Sequence, residues 1–549
     1  MKKALTLFLA AMLLAGVFAG CAGSNHTATS AATTTASTSA PAASTSAATS
    51  AEATTAPVAS ASAAPVAYSP MTLSTMTTSQ EAATNRDTDL FASALLETFN
   101  VTLDVEYIAQ SSIEETMKLR YMSDENPDVE FNTFCNLDSY GVEGFYVAFD
   151  DYFDQMPNMR ALWPDDFWAE YLDLTEQSDG KHYSLRVPTG AVQLVGEGFL
   201  YRMSGIEEFG VELPKTTEEF YEYLKQIKEK YPDSIPYSFR NALWGASQGF
   251  YRAFRTSNGF AYDKDYGAFT YEPVTDKFRD CQKYMARLFA DGLMAPEFAT
   301  QSAEQWAEQI GSGKVYVTHD YFARESWANN LCAEVDPEAN WLSSHEFLNA
   351  YPDKKLFVSR YSSVGMSSAR IATHNTQEEI DRIIEIFDWL CTDEGARRTQ
   401  MGVEGVTYTF NADGEEEYLP NIITPLNADQ GTDTLLKYNL EYRMRYYPRF
   451  FYYQGGGPSY DITQEVLANN YDYFPLYNLV LSEDDATVAA DIGTVLGDMM
   501  EQYSVKFIMG QLDVGDDAVW ESYVADMNKN GLEKLLPIYA SYYNQKYGE

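Results

Sequence analysis

Basic residues are scarce in this 549-residue chain. Lys and Arg together number 38 against 80 Asp and Glu, which gives a formal net charge of −42. A surface this acidic repels phosphate backbones and anionic lipid headgroups. The composition therefore argues against nucleic-acid binding and against electrostatic attachment to membranes, although it says nothing about the charge inside a ligand pocket.

The common motifs of catalysis and metal binding are also missing. His-Glu-x-x-His is absent, and the glycines at 311–315 lack the spacing of a phosphate-binding loop. Residues 365–369 resemble a nucleophile elbow only superficially, because the second glycine is missing. The acid pairs at 150–151 and 165–166 stand where helices should begin, so helix capping explains them better than glycosidase chemistry does. We predict no enzyme, no cofactor and no metal, with a secreted glycoside hydrolase as the alternative.

The N-terminal apolar run is too short for a permanent membrane helix. It follows Lys2 and Lys3 and ends in small residues just before Cys21, which is the pattern of a signal peptide (1–20) cleaved ahead of a lipidated cysteine. Residues 21–68 are then a lipidated N-terminus and a tether of mostly Ala, Ser, Thr and Pro, a composition that stays disordered. We therefore expect the protein on the outer face of the bacterial cytoplasmic membrane, anchored by lipid alone.

Cysteines are few, and no two have Cys-x-x-Cys spacing. Cys281 and Cys391 fall on apolar helix positions. We read the cysteines after Cys21 as small buried hydrophobic side chains rather than disulfides, which remain the alternative.

The first folded segment alternates strands and helices. Strands are predicted at 71–76, 102–107 and 127–131, with helices at 89–99 and 113–122 between them, an order typical of a parallel α/β sheet. Ligands of such sheets bind beyond the carboxyl ends of the strands. This rule makes candidate site residues of Thr77, Thr78, Asn132, Thr133 and Phe134, although loop capping explains each of them as well.

Capping boxes mark three later helices, because Thr216, Ser302 and Thr376 are each followed three residues later by Glu or Gln. A strand is predicted at 314–318. It places four further candidates at a strand's carboxyl end: His319, Asp320, Tyr321 and Phe322. Residues 411–414 lie between two alternating runs, which predicts a hairpin turn rather than a metal loop.

One stretch, residues 262–322, carries a resemblance to a known family. Its ordered string of a turn, PVT, a long helix, DGLMAPEFAT, a second helix, GSGKV and a strand resembles the extracellular solute-binding proteins of ABC importers. Within family 1 of these proteins it is similar to the large lipoprotein branch related to maltodextrin-binding proteins. Residues 200–227 and 366–410 continue the resemblance, which is weakest over 421–549.

The resemblance implies an α/β fold with two lobes of the type II periplasmic-binding-protein kind. Each lobe is a mostly parallel sheet flanked by helices, and hinge crossings join the two. Lobe 1 would comprise 69–195 and 362–410, and lobe 2 would comprise 196–361 and 411–549. The implied function is that of a monomer that captures an oligosaccharide by lobe closure and delivers it to an ABC transporter permease. A peptide-binding or sensor-associated surface lipoprotein is the alternative.

The resemblance also implies site residues. Trp244 stands where relatives place a stacking aromatic, whose flat face complements a sugar ring, with Asn241 beside it. Gln193 and Glu197 lie at the first crossing, His319 to Phe322 where relatives make ligand contacts, and Tyr453 in the late helical region. A core position for Trp244 is the alternative. Many relatives carry a calcium loop after the first helix of lobe 2, but residues 231–236 lack its alternating oxygen ligands, so no calcium is inferred.

Overall fold

The computed structural model of the protein describes most of the chain from residue 68 onward. The described ranges are 68–79, 89–109, 112–123, 125–133, 137–189, 194–358, 362, 364–424, 433–440, 442–469 and 471–548. The predicted signal peptide, the lipidated Cys21 and all but the end of the tether lie outside these residues. The part from residue 67 onward forms one compact unit.

Five strands form the first sheet: β1 (Met71–Ser79), β2 (Val101–Ala109), β3 (Val129–Thr133), β4 (Leu185–Pro188) and β11 (Val364–Ile371). Their order across the sheet is β2-β1-β3-β11-β4. Strand β1 pairs in parallel with β2 and β3, whereas β11 lies antiparallel between β3 and β4. The predicted parallel start of the chain is confirmed.

Four strands form the second sheet: β5 (Glu197–Arg202), β6 (Ile235–Ser238), β9 (Val315–Tyr321) and β10 (Trp341–Ser343). Their order is β10-β5-β9-β6, with β5 antiparallel to both neighbours and β6 parallel to β9. In each sheet, the strand that runs against its neighbours is the first one after a crossing from the other sheet. The predicted α/β class is confirmed. Both sheets are mixed rather than mostly parallel in their pairing, because in each of them one reversed strand lies between two neighbours.

Short strands form three two-stranded sheets: β7 (Phe260–Asp263) with β8 (Ala268–Tyr271), β12 (Tyr408–Phe410) with β13 (Glu416–Tyr418), and β14 (Ile422–Ile423) with β15 (Asp433–Thr434). The helices are α1 (Leu90–Phe99), α2 (Ile113–Ser123), α3 (Ser139–Val142), α4 (Pro157–Ala161), α5 (Asp165–Thr175), α6 (Met203–Phe209), α7 (Thr217–Lys230), α8 (Ala242–Ala253), α9 (Asp276–Ala290), α10 (Ala303–Gly311), α11 (Arg324–Cys332), α12 (Gln377–Leu390), α13 (Asp393–Gln400), α14 (Pro448–Tyr453), α15 (Gly457–Asn469), α16 (Glu483–Ile508), α17 (Asp517–Met527) and α18 (Glu533–Tyr547).

Local signals predicted helix starts well. Capping boxes form at α7, α10 and α12, where each capping side chain accepts from the third helical N–H. The predicted hairpin is present as β12 and β13. Cys281, Cys332 and Cys391 are free and buried, as predicted.

Two predicted strand ends are wrong. Strand β1 runs to Ser79 rather than to 76, and β9 runs to Tyr321 rather than to 318. The added residues of each strand pair with one neighbour, β2 for Thr77 to Ser79 and β5 for His319 to Tyr321, and this pairing extends the strands past their apolar runs.

Each sheet has its own apolar core. The first core includes Leu73 and Phe131, and it also takes in Tyr442 and Met444 from late in the chain. The Tyr442 ring stacks on Phe91 with 3.8 Å between centroids. The lobe boundaries stay a prediction, and these contacts favour a revised one in which 411–453 joins lobe 1. Helices α16 and α17 pack instead on the core of the second sheet.

A small apolar cluster, here called the joint, lies where the chain passes between the two sheets. It consists of Leu194, Val195, Phe322, Phe347, Val358, Ile462 and Val466, all buried. The N–H groups of Leu194 and Val195 both donate to the Thr463 hydroxyl, at 2.9 and 3.4 Å. The N–H of Val358 donates to the carbonyl of Asp472 at 2.9 Å. The joint therefore ties together three separate passes of the chain.

A buried ion network holds β11 inside the first sheet. Arg370 of β11 is fully buried and donates to Glu130 of β3 at 3.0 Å and to Asp138 at 2.7 Å. Arg186 of β4 donates to the same Asp138 at 2.7 Å. Burial alone would raise the pKa of Asp138, but the two guanidinium groups outweigh it and lower the pKa to about 2. Buried charged groups thus connect three strands of the first sheet, β3, β4 and β11.

We expect Arg370→Met to lower the free energy of unfolding by about 3 to 5 kcal/mol, because it removes the cation that faces buried Glu130 and one of the two that face buried Asp138. Urea unfolding of the two proteins measures the loss. Arg398→Met is the control, since Arg398 pairs with Glu97 at the surface and its loss should cost about 1 kcal/mol or less. Equal losses in the two variants would contradict a structural role for the network.

The same network makes stability depend on acid. The pKa of Asp138 is about 2 in the folded protein against an ordinary 3.8. Its ionised form therefore favours the folded state above about pH 4, and that stabilisation, about 2 kcal/mol, is lost as the pH falls towards 2. Unfolding of wild type and Asp138→Asn at several pH values tests this, because the difference between them should shrink between pH 4 and pH 2. A difference that stays constant would show that Asp138 does not titrate in this range.

Candidate functional site

A cavity of about 440 Å³ lies beside the joint. Its walls come from two parts of the chain: the end of β9 with the start of α11, and the segment from 443 to 459. The lining residues are Gly196, Tyr321, Ala323, Arg324, Trp327, Arg443, Tyr446, Phe451, Gln454, Gly455, Gly456 and Ser459. A second cavity, of about 300 Å³, contains Arg252 and Tyr477, but the segment anchored in the first core contributes nothing to it. The cavity beside the joint, whose lining includes the segment anchored in the first core, is therefore the candidate site.

The wall on the side of the second sheet presents aromatic rings. Tyr321 ends β9 with 41% of its surface exposed. Trp327 lies one turn into α11 and stacks on Trp306 of α10, with 4.4 Å between centroids and 20° between planes. The guanidinium of Arg324 lies 5.4 Å from the Trp327 ring. This packing fixes one face of the tryptophan and leaves its other side towards the cavity.

An ion pair behind Tyr321 sets the position of that ring. Asp320 is buried and accepts from Arg240, including a bond from Nη2 at 3.1 Å, and from the N–H of Tyr321 at 2.7 Å. Burial lowers the pKa of Arg240, but hydrogen bonding to Asp320 more than reverses this and raises it. The Arg240 guanidinium in turn lies 5.2 Å from the Tyr321 ring. Asp320 is thus saturated by protein contacts.

The opposite wall is anchored in the first core. Tyr442 and Met444 are buried there and flank Arg443, which lines the cavity. The Arg443 guanidinium lies 5.2 Å from the ring of Tyr446, and Phe451 packs on Tyr446 with 5.0 Å between centroids. Contacts from the two sheets therefore meet across the cavity.

Gly455 brings the two walls together. Its φ of +76° is one that favours glycine, and a Cβ at this position would lie 2.7 Å from the Cβ of Ala323. Only a residue without a side chain lets the 443–459 segment approach the start of α11 this closely.

Comparison with known proteins gives the family. Residues 79–333 match the model for bacterial extracellular solute-binding proteins. Over these residues, somewhat less than half of the chain, this protein is similar to that family. It is a family of binding proteins rather than enzymes, and the resemblance seen in the sequence is confirmed.

Two curated relatives are distant in sequence. The polygalacturonan/rhamnogalacturonan-binding protein YtcQ of Bacillus subtilis is 21% identical over 57% of this chain and 62% of its own, so the match spans less than two thirds of YtcQ. The fructooligosaccharide ABC transporter substrate-binding protein FusA of Streptococcus pneumoniae is 21% identical over 79% of this chain and 83% of its own.

One solved structure illustrates the shared fold. The alginate-binding protein AlgQ2, crystallised without calcium ion, has a TM-score of 0.63 and 20% identity to this chain, and the match covers 86% of this chain and 98% of AlgQ2. Among the described residues of the present chain, we find no helix both long and apolar enough to cross a membrane.

The structure places some of the predicted site residues at the same edge of the second sheet. Tyr321 lines the cavity. Strands β6 and β9 are parallel, so α8, which follows β6, starts at the edge where Tyr321 lies. Asn241 precedes that helix, and Trp244 in its first turn is 41% exposed, which does not fit the alternative of a core tryptophan. The binding roles of these residues stay predictions.

Other predicted residues are buried in protein contacts. Glu197 accepts from Arg252, and Phe322 belongs to the joint. His319 is buried beside Phe199, and neither of its ring nitrogens has a hydrogen-bond partner among the described residues. Burial and the nearby Arg252 charge hold the pKa of His319 well below its usual value. These residues lie inside because the pairing of β9 with β5 continues past residue 318 to Tyr321.

The structure describes several of the predicted site residues only in part or not at all. The backbones of Thr77, Thr78, Asn132 and Thr133 lie in β1 and β3, but their side chains are outside the described part, as are Phe134 and Gln193 altogether. Tyr453 packs on Tyr418 with 5.0 Å between centroids and is absent from the cavity lining given above.

Sequence reasoning missed most of the lining, including Arg324, Trp327, Arg443, Tyr446 and Gln454. One signal was available in the sequence, because residues 446–457 contain a run of tyrosines and phenylalanines that ends in three glycines. Choosing the right tyrosine in that run required the structure, since adjacent tyrosines point in different directions.

We expect Gly455→Ala to lower the melting temperature more than Gly414→Ala does. Gly414 has a similar φ of +80°, but a Cβ there meets open space, so only the backbone cost of about 1 to 2 kcal/mol applies. At Gly455 the clash with Ala323 adds to that cost. Thermal unfolding of both variants measures the difference, and equal losses would mean that the walls do not depend on this close approach.

Proposed function

We propose that this protein captures an oligosaccharide in the cavity between its two sheets and delivers it to an ABC transporter permease. One observation carries the proposal: the cavity is walled on one side by Tyr321 and Trp327 and on the other by Arg443 and Tyr446, which are anchored in different cores. A ligand in contact with both walls favours their approach. This is the physical basis of capture by lobe closure.

The chemistry of the lining supports a sugar. Aromatic faces complement the apolar C–H face of a pyranose, and amide, hydroxyl and guanidinium groups bond to its hydroxyls. The cavity offers both kinds of group, with aromatic rings on each wall and Gln454 and Ser459 between them. The names of YtcQ, FusA and AlgQ2 point in the same direction, since each is named for binding a carbohydrate.

The remaining parts of the proposal rest on sequence. Cys21 serves as the lipid anchor on the outer face of the cytoplasmic membrane, and residues 22–68 serve as a tether that lets the folded part reach a permease. The protein acts as a monomer. Lobe 1 comprises 69–195, 362–410 and, on the contacts of Tyr442 and Met444, the segment up to 453.

A thermal-shift screen with oligosaccharides and short peptides tests the ligand class. A ligand at about 100 times its Kd should add about 2.7 kcal/mol to the stability of the folded protein. Stabilisation by peptides alone would overturn the sugar assignment. Recovered sugar should be unchanged, because new reducing ends would identify a glycosidase. Uptake that survives deletion of the cognate permease would argue against a transport role.

We expect Trp244→Ala to weaken oligosaccharide binding by about 1 to 3 kcal/mol, the range found for aromatic stacking on flat rings. Its melting temperature without ligand should stay near that of wild type, since the ring is exposed and supports no core. Trp306→Ala is the control, because Trp306 is buried and its loss should cost about 3 to 5 kcal/mol of stability. Unchanged affinity in Trp244→Ala would remove this residue from the site.

A further inference from the structure

The cavity is positively charged inside an acidic protein. Its lining contains Arg324 and Arg443 and no Asp or Glu among the described residues, although the chain has 80 acidic residues against 38 basic ones. With that ratio, a lining drawn at random from the charged residues would be acidic. The local charge of the cavity is therefore opposite to that of the whole molecule.

Arg443 has no acidic partner within the described part of the chain. Within those residues, its guanidinium lies beside the aromatic rings of Tyr446, at 5.2 Å, and Phe450, at 5.6 Å. Other arginines of this region do have carboxylate partners: Arg445 pairs with Asp393 at 2.9 Å and Arg449 with Glu415 at 3.2 Å. Arg443 thus stands out from its neighbours as a cation with its donors unused by protein acids.

Arg324 is only weakly paired. Its Nε lies 4.0 Å from Asp320, whose carboxylate already accepts from Arg240 and from the N–H of Tyr321. The ring of Trp327 limits its side-chain movement, as those of Tyr446 and Phe450 limit Arg443. Two restrained guanidinium groups therefore line one cavity, one on each wall.

We propose that the oligosaccharide carries an anionic group, a carboxylate or a sulfate, which Arg443 and Arg324 bind from opposite walls. A guanidinium offers paired donors whose spacing matches two oxygens of such a group. The anion also provides the charge that holds both arginines together across the cavity. The inference rests on the proposed oligosaccharide function and specifies its ligand class.

The test compares matched ligands by calorimetry: trigalacturonate, its fully methyl-esterified form, a sulfated trisaccharide and neutral maltotriose. We expect the acid or the sulfate to bind at least about tenfold more tightly than the ester and the neutral sugar. Arg443→Gln and Arg324→Gln should each weaken binding of the anionic sugar by about 10- to 100-fold, and each should weaken binding of a neutral sugar by a clearly smaller factor.

Arg398→Gln is the matched control, because it removes the same charge from the surface pair with Glu97 and should leave all affinities unchanged. Melting temperatures of the three variants show whether each one folds. Equal binding of trigalacturonate and its ester, with no effect of either cavity variant, would overturn this inference and leave the oligosaccharide function standing. Failure of every sugar to bind would overturn the proposed function itself, and preference for the sulfated over the carboxylated ligand would identify which anion is bound.

Discussion

The two halves of this protein meet through the joint, a cluster of seven apolar side chains in which three passes of the chain cross. Phe322 occupies its centre at the end of β9, and a Cβ on Gly198 would lie 2.6 Å from its ring. The Thr463 hydroxyl adds polar contacts, because it accepts hydrogen bonds from the N–H groups of Leu194 and Val195 in the first crossing. Because the cavity begins at the residues beside this cluster, the distance between the cavity walls follows from how the joint packs.

Charges are used differently in two of the places where cations are shielded from bulk water. In the first sheet, Arg370 is enclosed by carboxylates that satisfy it within the protein. In the cavity, Arg443 is held by aromatic rings and has no acidic partner in the described chain. The first arrangement fixes a strand in place, whereas the second leaves donors available to something that enters from outside. A strongly acidic exterior and a cationic cavity can therefore coexist in one molecule.

The parts that the sequence predicts are those determined locally. Capping boxes at Thr216, Ser302 and Thr376 need only four residues, and each formed as expected. Strand ends depend on neighbours far away in the chain, so β9 extends through His319 and Asp320 and turns predicted ligand contacts into buried or saturated groups. The lining of the cavity depends even less on local sequence, because Arg443 reaches the cavity only when Tyr442 and Met444 are buried on the first sheet. The resemblance to a known family predicted the architecture, but no pattern in the sequence indicates that Arg324 and Arg443 line the same cavity.

The position of β11 also determines the order in which the molecule can be assembled. All four strands of the second sheet lie between residues 197 and 343, but the first sheet needs β11, residues 364–371, between β3 and β4. When synthesis from the N-terminus has reached residue 343, all four strands of the second sheet are present. The first sheet still lacks β11, so the edges of β3 and β4 that pair with it are unpaired. Such long-range pairing is slow, and open edges invite wrong partners. The first sheet, whose strands begin earlier in the chain, is therefore the later of the two to have all its strands.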